Sequence, residues 1–315
     1  MPESNGVYHV PILVEPVLAL LAPERGGVFV DGTLGGGGHA EAVLRRLPAT
    51  GWLYGIDRDD DALREASKRL APFGERFTAI KGNFFDMKTL LAARGVAGAD
   101  GILLDLGVSS HQLDDASRGF SYRQEAPLDM RMDQTAPLSA REVVNEWPKA
   151  RLAEIFSEYG EERFSGRIAE RIVSARAQHP IETTTELAAI VKDAIPAKFR
   201  NEPQHPARRV FQAIRIAVNG ELDGLEDAIR SAHDLLLPGG RLAILTFHSL
   251  EDRIVKNVFR SFENPCTCPR SAPVCICGKQ PTARVLTRHP ITADACEQAE
   301  NSRSTCAKLR AIERI

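Results

Sequence analysis

The sequence predicts an α/β chain: a Rossmann-like, mostly parallel sheet interrupted by an all-helical insertion. Three observations carry this. Short apolar runs alternate with helix-period stretches over the first hundred residues and again after residue 206. Several of those runs stop at an acidic residue: Asp31, Asp57 and Asp105. Between residues 113 and 205 no run reads as a strand.

Taken in order, Val28-Phe29-Val30 is a β-branched and aromatic run that halts at Asp31-Gly32. The turn Gly35-Gly36-Gly37-Gly38 follows, then a helical stretch through Ala42, Leu44 and Leu47, closed by Pro48. Leu53 to Asp57 reads as a second strand. Asp59 to Leu70 carries the capping acids and apolar spacing of a helix. Phe77 to Ile80 and Gly101 to Asp105 are the third and fourth strands. The insertion shows helical spacing over 142–159, 163–178 and 185–194, with joints at Pro137, Pro148, Pro180 and Pro196. Afterwards Phe211, Ile214, Val218, Leu222 and Leu225 recur at helical spacing. Pro238-Gly239-Gly240 is a turn, Arg241 to Phe247 a buried strand and Leu250 to Phe262 a helix. Residues 265–290 read as a surface loop, and Ala307 to Ile312 as a final edge strand. The expected organisation is a discontinuous Rossmann-like domain, 1–112 with 206–315, around a helical insertion at 113–205 that serves substrate recognition.

With 315 residues and 43% apolar content, a full core needs no disulfide staples. There is no long apolar run and no charged-then-apolar leader. Neither a membrane span nor a secretory signal is expected, and the chain is expected in the cytoplasm. Charge is balanced, with 40 Lys+Arg against 42 Asp+Glu, whereas a general coat for nucleic acid would normally be basic; the charge neither proves nor excludes RNA. Any RNA contact must come from local patches. Oligomeric state is not legible.

The segment Asp31-Gly32-Thr33-Leu34-Gly35-Gly36-Gly37-Gly38-His39 lies between the first strand and the first helix. Glycine lets backbone approach a ligand closely, and a helix N-terminus there favours an anion. Asp57 ends the second strand about 20 residues later, a spacing suited to a carboxylate that accepts both ribose hydroxyls. Asn83-Phe84 follows the third strand, where a flat ring can stack on adenine. Asp105 ends the fourth, at the carboxyl edge where ligands collect. Singly these are ordinary turns and caps; together they point to a nucleotide. The ligand's anion would be the methionine carboxylate of S-adenosylmethionine. A dinucleotide competes, because Gly35-x-Gly37-x-x-Ala40 fits its loose fingerprint. Two features weigh against it: the strand-end Asp31 ahead of the glycines, and Asp105 to Ser110, which hydride transfer leaves without a role.

At this point the residues resemble the bacterial ribosomal RNA small-subunit methyltransferase H family, also called MraW. The matching stretches are His9-Val-Pro-Ile-Leu-Val-Glu15, Asp31 to His39, Gly101 to Ser110, Arg118-Gly-Phe-Ser121, Pro127 to Asp133, Tyr159 to Phe164, Phe211 to Asn219, Phe247 to Arg253 and Lys308-Leu-Arg310. The ordered set is far more specific than the glycine turn alone. His111 stands where the family commonly has proline, and Tyr122 where it commonly has a second Phe. The paired Cys-x-Cys occurs in only part of the family.

The resemblance implies a class I S-adenosylmethionine-dependent methyltransferase fold and methylation of N4 of one cytidine in the decoding region of 16S rRNA, within the small ribosomal subunit. It also implies that Gly37, Gly38, His39, Asp57, Phe84, Asp105 and Gln112 contact the cofactor, beside Asp31, Gly35 and Gly36 of the same turn. An exocyclic amine is a poor nucleophile whose lone pair is delocalised. Its site should therefore supply acceptors for the N–H groups and align nitrogen, methyl and sulfur. Asp105 and the turn from Leu106 to Ser109 are the candidate acceptors, with cofactor binding alone as the other reading of Asp105. His248 is either a proton acceptor that positions the base or a structural histidine.

The target base must leave its stack. Phe120 and Tyr122 either stack on it or pack the insertion onto the main domain. Arg163, Arg167, Arg171 and Arg176 form one basic stripe, and Arg208, Gln212, Arg215 and Asn219 a second polar one. Each is either an RNA contact or a solvated face. Lys279, Arg284, Arg288, His289 and Arg303 add a basic C-terminal segment. All six cysteines fall in the last fifth of the chain. Cys266-x-Cys268 and Cys275-x-Cys277 would hold zinc or stay a reduced loop, and catalysis does not call for a metal.

Overall fold

A computed structural model of the chain describes residues 11–200, 205–269, 274 and 276–315. The chain divides into two compact units. One combines residues 1–107 with 224–315; the other is 108–223.

The first unit is built on a seven-stranded sheet in the order β3-β2-β1-β4-β5-β7-β6. The strands are β1 Val28–Asp31, β2 Trp52–Asp57, β3 Phe77–Lys81, β4 Ala99–Asp105, β5 Leu236–Thr246, β6 Ala283–Val285 and β7 Lys308–Arg314. Neighbours among β1 to β5 run parallel. β7 is antiparallel to both β5 and β6. This is the Rossmann-like, mostly parallel arrangement that the alternation of runs predicts.

One face carries helices Val14–Leu21 and Gly38–Arg46, which bury Val17, Leu18, Leu21, Val43 and Leu44 with Phe29, Leu53 and Leu103. Leu104, one residue on from Leu103, points to the opposite face. Helix Asp60–Leu70 opens with Asp59, whose side chain accepts the Asp61 N–H, and ends with Lys68 and Arg69, as its charge pattern dictates.

Three elements differ from their sequence expectation. The final strand is not an edge: β7 lies between β5 and β6, and β6 falls in the stretch read as loop. At three residues, β6 is too short to show an alternating pattern. The Pro238-Gly239-Gly240 turn sits within β5. Ala99 pairs with Leu236 and Gly101 with Arg241, so β5 carries extra residues that loop out of register, with Gly239 at φ +77°. Helical periodicity through Leu222 and Leu225 hides a break. Helix Arg208–Asn219 ends at Gly220, φ +58°, and a separate helix, Leu225–Leu235, begins after Gly224.

The second unit is all-helical around one core that includes Val143, Leu152, Phe156, Ile168, Ile172, Leu187, Val191 and Ile214. Its main helices are Ala140–Glu146, Lys149–Glu158, Ser165–Arg176, Thr184–Ala194 and Arg208–Asn219. The helical stretch over 142–159 is two helices, split at Trp147-Pro148 where the sequence places a joint, because proline cannot donate to the preceding turn. The unit's limits also differ from the expected 113–205. Helix Arg208–Asn219 buries Val210, Phe211, Ala213 and Ile214 in this core, so the unit extends to residue 223.

Polar side chains hold its loops. Arg118, 4% exposed, donates to the carbonyls of Arg131 and Met132. Asn219 accepts the Met132 N–H and donates to the carbonyls of Met130 and Arg215. Asn219→Ala strands the buried main-chain groups of this loop. It should lower the unfolding free energy by about 2–3 kcal/mol, read from urea denaturation. An unchanged midpoint would refute the tethering role.

Candidate active site

Register places the acidic strand ends. Asp31, the last residue of β1, pairs with Gly55 on β2 and Leu103 on β4. Asp57 and Asp105 each lie two positions beyond those partners. β1 thus stops short and leaves a notch between its neighbours, at the point where the strand order reverses.

The glycine-rich turn drops into that notch and is tied to both walls. Toward β4, Gly32 N–H donates to the Leu103 carbonyl (2.9 Å), and Asp105 N–H to Thr33 Oγ1. Toward β2, Leu34 N–H donates to the Ile56 carbonyl (3.0 Å), and Gly35 N–H to Asp57 Oδ2 (2.8 Å). A Cβ at Gly32 would stand 2.5 Å from Leu104 Cδ2, 2.9 Å from Met87 Cε and 3.2 Å from Phe84 Cβ, so a side chain there needs these neighbours to move. Gly37, φ +77°, turns the chain into helix Gly38–Arg46, whose N-terminus follows directly on the glycine-rich turn. Arg69 holds the Gly36 carbonyl from outside at 3.1 Å. Phe84 follows β3 in a short turn that Asn83 stabilises by accepting the Phe85 N–H.

Three carboxylates therefore share one site. Asp31 is 3% exposed; burial pushes its pKa up to about 7, the Thr33 N–H opposes this, and the charge of Asp57 adds to it. Asp105 rises to about 8, first through burial and then through the charges of Asp31 and Glu251. Some 23% of its side chain meets solvent, and that water moderates the shift without reversing it. Burial also raises Asp57, against N–H donors from Asp59 and Gly35. Asp105 Oδ2 stands 3.6 Å from Nε2 of the buried His39. Its Oδ1 is enclosed and, among the described residues, has no hydrogen-bond partner. The donor set fits a ligand that is cationic near Asp105, bears hydroxyls near Asp57 and carries an anion at the helix N-terminus.

His248 is 8% exposed and caps helix Ser249–Glu263. Its Nδ1 accepts the Glu251 N–H at 3.4 Å, which leaves the proton on Nε2, 3.1 Å from Glu251 Oε1. Glu251, 2% exposed, accepts the N–H groups of Phe247 and His248. The geometry matches the structural reading of His248. Thr33, Arg69 and Glu251 escaped the sequence reading, although His248-x-x-Glu251 carries capping-box spacing.

Most of the remaining candidates lie in the helical unit. Ser109 and Gln112 form a capping box: Ser109 Oγ accepts the Gln112 N–H and Gln112 Oε1 the Ser109 N–H. Phe120, 7% exposed, packs into the helical core. Tyr122 stacks on His205 at 4.6 Å and meets Phe211 edge-on. Gln212 donates to the Tyr159 carbonyl, and Arg215 makes a two-pronged ion pair with the buried Glu221. With Asn219 holding the Met130–Met132 backbone, three of the four residues in the second polar stripe are engaged within the unit. Arg208 is half-buried. In the other stripe Arg163 stacks on Phe199 and Arg176 donates to the carbonyls of Val144 and Trp147, whereas Arg167 and Arg171 are exposed. Cys266, Cys268 and Cys277 come together; Cys275 lies outside the described residues.

A family model described as the MraW methylase family matches residues 6–315. The chain belongs to the MraW methylase family. Curated relatives match end to end. The ribosomal RNA small subunit methyltransferase H of Symbiobacterium thermophilum is 53% identical over 308 residues, covering 98% of this chain and 97% of the relative. That of Syntrophus aciditrophicus is 52% identical over 315 residues, covering all of both. That of Geobacter sulfurreducens is 53% identical over 307 residues, covering 98% and 99%. Among the described residues no helix is long and apolar enough to cross a membrane.

The crowded carboxylates make stability depend on pH. An unperturbed Asp titrates at 3.8, whereas folded Asp31 and Asp105 do so near 7 and 8. The folded chain thus binds more protons in between, and the stability this contributes is lost as pH rises through 7 and 8. The ligand-free chain should lose on the order of 1 kcal/mol per group between pH 6 and 9, measured by urea denaturation. Asp31→Asn should flatten that decline; an equally steep decline in the variant would remove Asp31 from this account.

Proposed function

We propose that the chain transfers the methyl group of S-adenosylmethionine to the N4 amino group of a cytidine in the decoding region of 16S rRNA. The observation that carries the chemistry is Asp105 Oδ1, an enclosed carboxylate oxygen without a partner at the carboxyl edge of the sheet. The rRNA target is supported by the printed names of relatives that match along their whole length. The N4 position is supported by the sequence resemblance and by a site rich in acceptors.

When bound, S-adenosylmethionine supplies an electrophilic methyl group on a sulfonium. Asp57 has lone pairs left for the ribose hydroxyls beyond its two backbone donors. Phe84 offers a ring to the adenine, and the N-terminus of helix Gly38–Arg46 takes the methionine carboxylate. Asp105 has the central task. Its raised pKa leaves it largely protonated in the empty site, and a neighbouring cation favours the ionised form. Ionised, it accepts an N–H of the amine, turns the nitrogen lone pair toward the methyl and holds the in-line geometry. As the N–C bond forms and the S–C bond breaks, the bonding pair stays on sulfur. The nitrogen then sheds one proton, to Asp105 or to water; no strong base is needed.

The helical unit is the proposed RNA-recognition region, in the chain division 1–107 with 224–315 and 108–223. The stacked pair Tyr122–His205 and the exposed Arg167 and Arg171 are its best-placed contacts, ahead of Phe120, Gln212, Arg215 and Asn219, which serve the unit's own structure.

Small subunits lacking the modification, incubated with the protein and labelled S-adenosylmethionine, should yield N4-methylcytidine after nuclease digestion and mass analysis. RNA without label would defeat the proposal; label on another nucleoside would overturn only the N4 target. Asp105→Asn should reduce transfer by about 10²–10³-fold or more while leaving the thermal midpoint in place. Asp57→Ala should instead weaken cofactor binding, by about tenfold or more, in calorimetry. Full turnover in Asp105→Asn would exclude the acceptor role, and an unchanged dissociation constant in Asp57→Ala would exclude the ribose role.

A further inference from the structure

Outside the methyl-donor site, the segment between helix Ser249–Glu263 and β6 gathers thiols that the transfer chemistry does not use. We propose that Cys266, Cys268 and Cys277 form a thiolate site for a structural zinc-class metal ion. Their sulfurs all lie within 4.8 Å of one another, although Cys277 comes from a separate stretch of the loop. Tetrahedral zinc with bonds of about 2.3 Å sets sulfurs about 3.8 Å apart, so closure needs movements of roughly 1 Å. The cluster is accessible: Cys266 is exposed, and Cys268 and Cys277 are half-buried. Ile276 N–H points at Cys268 Sγ across 3.4 Å.

The surroundings show why a metal is needed. The described residues between Asn264 and Thr282 form neither helix nor strand. Val274 and Ile276 are 69% and 87% exposed, so the segment carries apolar side chains without a core to bury them. Loops of this length inside a compact unit are uncommon unless something orders them, and metal ligation supplies order where burial is insufficient. Of the other described cysteines, Cys296 and Cys306 are exposed and stand outside the cluster. A single divalent ion can take a ligand from each of the three clustered thiols. On binding, each thiol releases its proton to solvent and a sulfur–metal bond replaces a metal–water bond, with no change in oxidation state. Affinity therefore falls as pH is lowered. The ligands share no residue with the methyl-donor site, so the role is structural.

The test uses the full-length protein, purified under reducing conditions without chelator. Zinc measured by inductively coupled plasma emission should approach one equivalent per chain. After chelator stripping, titration with Co(II) alone should produce sulfur-to-cobalt charge-transfer absorption with the strong visible bands of tetrahedral coordination. Cys268→Ser and Cys277→Ser should each lose zinc, Cys296→Ser should keep it, and the heat of S-adenosylmethionine binding should be unchanged in all three. If the first two variants do not fold, the cobalt spectrum of stripped wild-type protein decides alone. Substoichiometric zinc in reduced wild-type protein together with no charge-transfer band overturns the proposal, and so does equal metal loss in Cys296→Ser.

Discussion

The early stop of β1 is the constraint on which the α/β unit depends. Because Asp31 ends its strand two positions before its neighbours do, the turn that follows can lie between β2 and β4 instead of passing over them. Backbone donors from Gly32, Leu34 and Gly35, with Thr33 Oγ1, join the turn to both walls. The ligand edge, the approach of Phe84 and the start of helix Gly38–Arg46 are all set by this one placement. A methyl group at Gly32 would displace Leu104 and Met87, so substitution there disturbs the packing behind the turn.

The same placement crowds negative charge. The charge of Asp57 raises the pKa of Asp31, and the charges of Asp31 and Glu251 raise that of Asp105. A folded protein without ligand gains nothing from such an arrangement, since burial and repulsion both disfavour ionisation. A cation in the notch reverses the balance. The site is thus built for its occupied state, the usual exchange of local stability for function.

Much of this was legible in the sequence because the signals are local. Strand ends, glycines and capping acids declare themselves within a few residues, which is why β1 to β4 and Asp31, Asp57, Phe84 and Asp105 could be named. The misses concern information that lies far away in the chain. That β7 is internal depends on the three-residue β6, whose pairing is fixed by β7 itself. That helix Arg208–Asn219 joins the helical core depends on partners such as Phe156 and Ile168. The stripe Gln212, Arg215 and Asn219 looked solvent-facing because sequence shows polarity but not partners; here the partners are main-chain groups and Glu221. The helix break near Gly220 escaped because apolar spacing continued in phase across it. Zinc or a reduced loop remained open in the sequence because the nearness of Cys277 to the first pair is a property of the folded loop.

The position of β7 bears on how the unit is assembled. Residues 308–314 lie between β5 and β6, so a nascent chain presents β5 with one unsatisfied flank until β7 has been made. That flank holds the hydrogen-bonding groups of Leu242 to Thr246, in a strand whose side chains are buried. Until β7 arrives it is an open template for another chain's strand. Clipping the last eight residues would therefore do more than shorten the protein: it would strip β6 of its neighbour and return the sheet to its adhesive nascent condition.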